Sequence, residues 1–241
     1  MVWRRARPGS QEEHVGRLII AGVLVMVLPG VPILNIAIYP FYILTTWFHE
    51  MGHGLTALLL GNQFEQLTIF PDGSGVASSR AETDMSGTRR ALIAAGGPLG
   101  PSVAGSLLIL ASAREKFWRP TLYALAAAIV LSVVVWVDGM TGWIVLPLVA
   151  ALLCWIAWKA RDWLVLFALQ FLGVLAALSM FNDWDYLFSE AAMVGGRPMY
   201  SDTGAMEQAL WLPYWLWAAI IILVSGLMIG ASLKYALNRE G

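Results

Sequence analysis

Residues 46–54 read TWFHEMGHG, and this stretch decides how the rest of the sequence is interpreted. It places His49 and His53 four positions apart, with Glu50 between them, inside the otherwise apolar segment 41–60. Residues four apart on a helix share one face, so both imidazoles can reach one zinc ion at about 2.0–2.1 Å from each nitrogen. Glu50 lies about 100° around the helix from His49. The pattern therefore predicts a zinc site with a carboxylate beside the metal.

The composition indicates that this segment belongs to a membrane protein. The chain has 241 residues, of which 59% are hydrophobic and 13% are charged, and its mean hydropathy is +0.68. Too little polar surface remains to cover a water-soluble domain. The formal net charge of -1 argues against nucleic acid as a partner. Cys154 is the single cysteine, which excludes an intrachain disulfide and a cysteine-based zinc cluster.

A carboxylate beside zinc predicts hydrolysis of an amide. Zinc lowers the pKa of its bound water to about 7, and Glu50 can accept the proton as that water attacks a carbonyl, then pass it to the leaving amine. Without a metal, the same residues would form a polar cluster between helices. An ionisable side chain in lipid costs at least about 2.5–3.5 kcal/mol on insertion scales, so Glu50 between two histidines requires a partner or an ion. The membrane setting therefore favours the metal site.

Seven apolar segments approach the length of about 20 residues that a spanning helix needs. They lie near 17–39, 41–60, 91–112, 121–137, 143–159, 163–187 and 213–233. The predicted fold is an all-α polytopic membrane protein with six or seven transmembrane helices and a small β-hairpin after the metal-binding helix. The basic N-terminal segment favours a cytoplasmic N-terminus.

Two segments are too polar to span a membrane. Residues 62–80 alternate in polarity on both sides of a Pro-Asp-Gly turn at 71–73, which predicts a β-hairpin insertion. Residues 188–212 are predicted to form an extramembrane loop, in which Ser201 or Asp202 caps a short helix over 203–211. A gating or metal-binding role is the alternative for Asp202. The chain, residues 1–241, is predicted to be a single membrane-embedded metallopeptidase-like domain.

The motif GGPLGP at residues 96–101, near the start of the segment 91–112, suggests a second functional site. Pro98 and Pro101 leave the carbonyls of Ala94 and Gly97 without helical donors, so Gly97 and Pro98 are candidate substrate-binding residues. The alternative is close packing of two helices at the small residues Gly96 and Gly100, which lie four positions apart.

The order of the motifs resembles a known family. HEMGHG at 49–54 in a span, followed by a hairpin and by AGGPLG at 95–100, resembles the site-2 protease family of intramembrane zinc metallopeptidases. More narrowly, it resembles the short bacterial branch without a PDZ domain, to which segments 178–188 and 201–213 are also similar. The resemblance implies Zn²⁺ as cofactor, His49 and His53 as metal ligands, and Glu50 as catalytic acid and base. It also implies a multi-pass protein of the bacterial plasma membrane.

The resemblance implies a third ligand from an aspartate on a later helix. In the short branch the polar string 182–186 matches best, so Asp185 is the predicted ligand and Asp183 an alternative. In the larger family the ligand stands in an Asp-Gly pair, which would instead imply Asp138.

These features predict an intramembrane zinc endopeptidase in the lipid bilayer that cuts a membrane protein or a transmembrane peptide. The oligomeric state stays open. The first alternative is a catalytically silent relative that binds or chaperones membrane partners, since Pro101 stands where the family often has asparagine. A transporter is disfavoured because the polar groups concentrate on one helix and one distant string. The hairpin at 63–79 either offers a strand edge to an extended substrate or merely covers the site.

Overall fold

The computed structural model of the chain describes residues 35–81, 85–182 and 184–238, together with positions 16, 19, 20, 22 and 23. The first predicted span, near 17–39, lies largely outside the described residues. The helices are α1 (Asn35–Leu59), α2 (Gly87–Ser112), α3 (Glu115–Val135), α4 (Met140–Lys159), α5 (Asp162–Asn182), α6 (Trp184–Leu187), α7 (Asp202–Ala209) and α8 (Tyr214–Asn238). The strands are β1 (Gln63–Ile69), β2 (Gly75–Arg80), β3 (Val137–Asp138), β4 (Ala191–Val194) and β5 (Arg197–Tyr200).

Five of the described helical segments are long and apolar enough to cross a membrane. They are α2, α3, α4, the segment Asp162–Leu187 that contains α5 and α6, and α8. The chain is therefore a multi-pass integral membrane protein, as predicted. Helix α1 is as long as these segments but is not one of the five, and it contains His49, Glu50 and His53. Its neighbours bury it instead, because Ile43, Leu44 and Trp47 belong to the main apolar core.

Helices α1 and α2 cross in close contact at three glycines. A Cβ atom on Gly52 would collide with the carbonyl oxygen of Gly96, and one on Gly100 would lie 3.1 Å from the Gly52 Cα. Backbones can approach this closely only where side chains are absent. The packing role considered for Gly96 and Gly100 is thus present, and it fixes the helix that bears His49 against the helix that bears Gly97.

The predicted hairpin is present as β1 and β2, which pair antiparallel between Gln63 and Arg80. Its turn contains Gly73 with a φ of 90°, and Asp72 accepts hydrogen bonds from the backbone N–H (3.0 Å) and hydroxyl (2.7 Å) of Ser74. These bonds keep the pKa of Asp72 below its usual range. Strand β3 adds to β1 in parallel, giving the order β2-β1-β3. Strand β2 is consequently an edge strand.

The predicted extramembrane loop contains a second hairpin and a capped helix. Strands β4 and β5 pair antiparallel around Gly195 and Gly196, both of which have positive φ. Ser201 then caps α7, since its side chain accepts a hydrogen bond from the Gly204 N–H at 3.0 Å. The tips of the two hairpins meet where the Gly195 N–H donates to the Ser74 hydroxyl at 3.1 Å. The loop is therefore folded against the first hairpin.

Candidate active site

Helix α1 brings the predicted motif to one place. His49 and His53 lie on the same face of the helix with their ring centroids 5.0 Å apart, and both side chains are mostly buried. The Nδ1 atom of His53 lies 2.7 Å from the carbonyl oxygen of Ile93 on α2. A ring that donates from Nδ1 leaves the lone pair of Nε2 for another partner. The neighbouring helix thus sets His53 in the tautomer that a metal ligand needs.

The acid that meets the two histidines is Asp202. Its Oδ2 lies 2.9 Å from His49 Nε2, and its Oδ1 lies 3.1 Å from His53 Nε2. The side chain is buried and projects from the first residue of α7. Within the described residues, His49, His53 and Asp202 form a group whose ligand atoms all lie within 4.8 Å of one another.

The structure brings Asp202, rather than the predicted Asp185, next to the two histidines. Asp185 is exposed on α6, where the next residue, Tyr186, instead turns its ring towards His49 at 6.3 Å between centroids. Successive helical residues point about 100° apart, so only one of the two can face the site. Asp138 is also exposed, and its carboxylate accepts hydrogen bonds from Gln66 and from the Gly139 N–H. Asp183 lies outside the described residues.

Asp202 was considered as a helix cap in the sequence, but that role belongs to Ser201. An acidic residue in the first turn of a helix is common because it faces the positive end of the helix dipole. An acid at this position is therefore no sign, in the sequence, that its side chain faces the two histidines. The one sequence signal was the serine immediately before it, which assigns the cap and leaves the acid free for another role.

The residues present fit a zinc ion by two independent observations. Three ligands about 2.0–2.2 Å from a tetrahedral metal are separated from one another by about 3.3–3.6 Å, a few tenths of an ångström more than the histidine–aspartate distances of 2.9 and 3.1 Å. In addition, Asp202 Oδ2 is fully buried, yet no hydrogen bond from the described residues reaches it. Oδ2 lies 2.9 Å from His49 Nε2, so a cation placed between them could be held by both atoms. Two imidazoles and a carboxylate are donors that zinc accepts.

Gly97 completes the cradle for the ion. A Cβ atom at this position would lie 2.7 Å from His49 Nε2 and closer still to His53 Nε2. The absent side chain therefore leaves space beside the two ligand nitrogens. The substrate-binding role predicted for Gly97 and Pro98 stays a prediction, since neither lines the cavities described below. Pro98 is buried in α2.

The charge of Asp202 follows from its neighbours. Burial opposes ionisation, but the positive charge that His53 and His49 carry when protonated outweighs it and holds the pKa of Asp202 well below its usual range. A bound cation would take the place of those protons, because histidine binds metal in its neutral form. The group that faces the histidines is thus a carboxylate. An ionised carboxylate is the form that can bind a cation.

Glu50 lies beside the candidate metal site formed by His49, His53 and Asp202 and packs against the edge strand β2. Its side chain is 5% exposed, and the backbone of Ala77 on β2 hydrogen bonds to its carboxylate. A Cβ atom on Gly75 would lie 2.7 Å from Glu50 Cγ and 2.7 Å from Thr46 Cγ2. Strand β2 therefore positions the carboxylate in two ways. The backbone of Ala77 contacts it, and Gly75 has no side chain that would displace it.

A cleft with two lobes passes over Glu50. The large lobe has a volume of about 460 Å³ and the small lobe about 170 Å³. Glu50, Gly75, Tyr186 and Val194 line both lobes. His49 faces the large lobe, whereas His53 and Asp202 face the small lobe. A chain lying along the cleft would thus pass the candidate metal site and the Glu50 carboxylate.

Comparison with known proteins places this geometry in a family. Residues 18–232 match the family described as Peptidase M50B-like. No curated protein and no solved structure matches the chain. The match covers most of the sequence, including α1 with its two histidines, α2 with Gly97 and α7 with Asp202. On this evidence, the chain belongs to the Peptidase M50B-like family, which is part of the site-2 proteases.

Proposed function

We propose that the protein is an intramembrane zinc endopeptidase that hydrolyses a peptide bond in a membrane-embedded protein segment. The observation that carries the proposal is the convergence of His49, His53 and Asp202 beside the buried Glu50. Membership of a peptidase family supports the reaction class. We further propose the plasma membrane of a bacterial cell as its location and a membrane protein or transmembrane peptide as its substrate.

Each residue has a distinct task in the proposed reaction. His49, His53 and Asp202 would hold zinc, which when bound supplies a Lewis acid that acidifies water and polarises a carbonyl. Glu50 accepts a proton from the attacking water at its carboxylate and donates that proton to the leaving amine nitrogen. Peptide hydrolysis then gives one new carboxyl terminus and one new amino terminus. Ala77 keeps the Glu50 carboxylate aimed at the cleft.

The edge strand offers a way to present the substrate. A helical substrate hides its carbonyls in its own hydrogen bonds, so cleavage requires a locally extended segment. Strand β2 pairs with β1 on one side only, and Gly75, Val76 and Ala77 line the cleft. An extended peptide can add to such an edge through main-chain hydrogen bonds. If a variant that lacks residues 71–75 still binds zinc and still cleaves its substrate, binding of the substrate by strand addition is contradicted.

The test of the proposed function combines metal analysis with one conservative substitution. Purified wild-type protein is expected to contain about one zinc ion per chain, as expected for a three-ligand catalytic site, and to cut a transmembrane reporter peptide in detergent or liposomes. Glu50→Gln should retain zinc but lose cleavage, because the amide cannot accept the proton. A zinc-containing wild type that cuts no member of a varied reporter set would favour the alternative of a silent membrane-protein binder. A metal-free wild type would contradict the zinc site.

A further inference from the structure

The large lobe of the cleft carries acidic and aromatic groups but no lysine or arginine among its described lining. Tyr39, Tyr42 and Tyr186 contribute rings to its wall, and Asp72 contributes a carboxylate at the tip of the first hairpin. Its remaining lining is uncharged apart from His49 and Glu50, which belong to the catalytic group. The lobe therefore presents negative charge and aromatic surface together.

This combination is the one that recognises a cation. An ammonium or guanidinium group is attracted by the face of a tyrosine ring and by a carboxylate. Asp72 is well suited to this task because its hydrogen bonds from Ser74 keep its pKa low and fix its position. The hydroxyl of Tyr39 also donates to the Pro71 carbonyl at 2.9 Å, which ties α1 to the turn that bears Asp72.

The two lobes differ in what they can hold. The small lobe has about 170 Å³ and is lined by Val76, Ala77 and Met199, whereas the large lobe has about 460 Å³. The large lobe therefore gives a long side chain more room. Its stem would lie along the tyrosine rings while its charged end reached Asp72, since lysine and arginine place apolar stems on apolar surface and keep their heads near water.

We propose that the large lobe selects substrates with a lysine or arginine near the scissile bond and that Asp72 is the residue that determines this specificity. The inference rests on the proposed function, because it names the substrate feature that the same cleft would read. It assigns to the extended segment of the substrate a basic residue on the His49 side of Glu50. A small side chain occupies the His53 side.

Binding to an inactive variant tests the inference without requiring cleavage. Glu50→Gln protein, loaded with zinc, is titrated with fluorescent synthetic transmembrane peptides in which one position at a time across the extended segment is lysine, glutamine or glutamate. At one position, the lysine peptide should bind roughly three- to tenfold more tightly than the glutamine peptide, the range expected of a partly exposed cation–carboxylate and cation–ring contact. Charge reversal by Asp72→Lys should transfer the preference to the glutamate peptide.

Asp138 provides the matched control. It is an exposed aspartate on the same sheet but does not line the cleft, so Asp138→Lys should leave the lysine preference unchanged. Equal binding of the three peptides, or a lysine preference that survives Asp72→Lys, would overturn the inference. If Asp72→Lys loses zinc, Asp72→Asn replaces it, and the preference must then disappear. Failure of the wild type to cut any peptide would count against the proposed protease alone, since the binding preference is measured separately.

Discussion

Gly97 of α2 faces Nε2 of His53 so closely that no side chain can occupy the space between them. The candidate metal site therefore depends on the absence of a side chain at Gly97 as well as on its three ligands. This contact comes from the helix crossing at Gly52, Gly96 and Gly100, which sets the depth of α2 against α1.

Gly97→Ala should lower zinc content strongly while the protein remains folded. The new methyl group would occupy the space beside the two imidazole nitrogens, so the ligands could not close on an ion. Zinc per chain, measured by mass spectrometry of the purified protein, checks the expectation. Gly226→Ala is the control, because nothing lies within 4 Å of a Cβ atom at that helical position. Full zinc content in the Gly97→Ala protein would show that the cradle has been misassigned.

Asp202→Asn should reduce zinc affinity by about tenfold or more, in line with the loss of a charged ligand. Asp185→Asn and Asp138→Asn should have no such effect, since both acids are exposed and lie away from the histidines. Competition with a zinc-binding dye measures the three affinities under the same conditions. Loss of zinc on changing Asp185 alone would restore the ligand predicted from the sequence.

Ser201→Ala should weaken both the fold and the metal site. The Ser201 side chain accepts the Gly204 N–H and donates to the carbonyl of Ser189, so it fixes the first turn of α7. Loss of such a cap costs about 1 kcal/mol, and here it also loosens Asp202. Thermal unfolding and zinc affinity are the two measurements.

The matched control for the cap is Ser86→Ala. Ser86 caps α2 by accepting a hydrogen bond from the Arg89 N–H at 3.4 Å. Its loss should lower stability without changing zinc affinity. If both variants weaken zinc binding equally, the effect arises from general destabilisation rather than from the placement of Asp202.

Gly75→Val should impair cleavage while zinc stays bound. A side chain at this position on β2 would push against Glu50 Cγ and Thr46 Cγ2, so the carboxylate would leave its place beside the cleft. General acid–base catalysis contributes about 10²- to 10⁴-fold, which bounds the expected loss in kcat. Reporter cleavage and metal analysis on the same preparation check it. A substitution that lowers zinc content and activity in parallel would argue against a separate effect on Glu50.

The parts of the site that depend on local spacing could be predicted from the sequence. His49, Glu50 and His53 lie on one helix, so the helical repeat alone places them correctly. The hairpin after α1 follows from alternation and turn residues, and it is confirmed between Gln63 and Arg80. Membership of the site-2 protease family is also confirmed.

The third acid could not be predicted because it depends on tertiary packing. Asp202 reaches the histidines only because α7 folds back onto α2, where a Cβ atom on Gly87 would collide with the Ala209 carbonyl. Nothing in the spacing between residues 53 and 202 encodes this approach. Asp185 was a poor choice because its neighbour Tyr186 occupies the inward position on α6. The pairing of β3 with β1 was missed for the same reason, since two residues carry no strand pattern.

The placement of Asp202 on a segment outside the bilayer-crossing helices has a mechanical consequence. An ion bound by ligands on both α1 and α7 would link residues 188–212 to the transmembrane helices. The loop would therefore be more ordered with the ion bound than without it. Chelation would then expose this stretch to nicking by an added soluble protease, while the buried helices stayed intact.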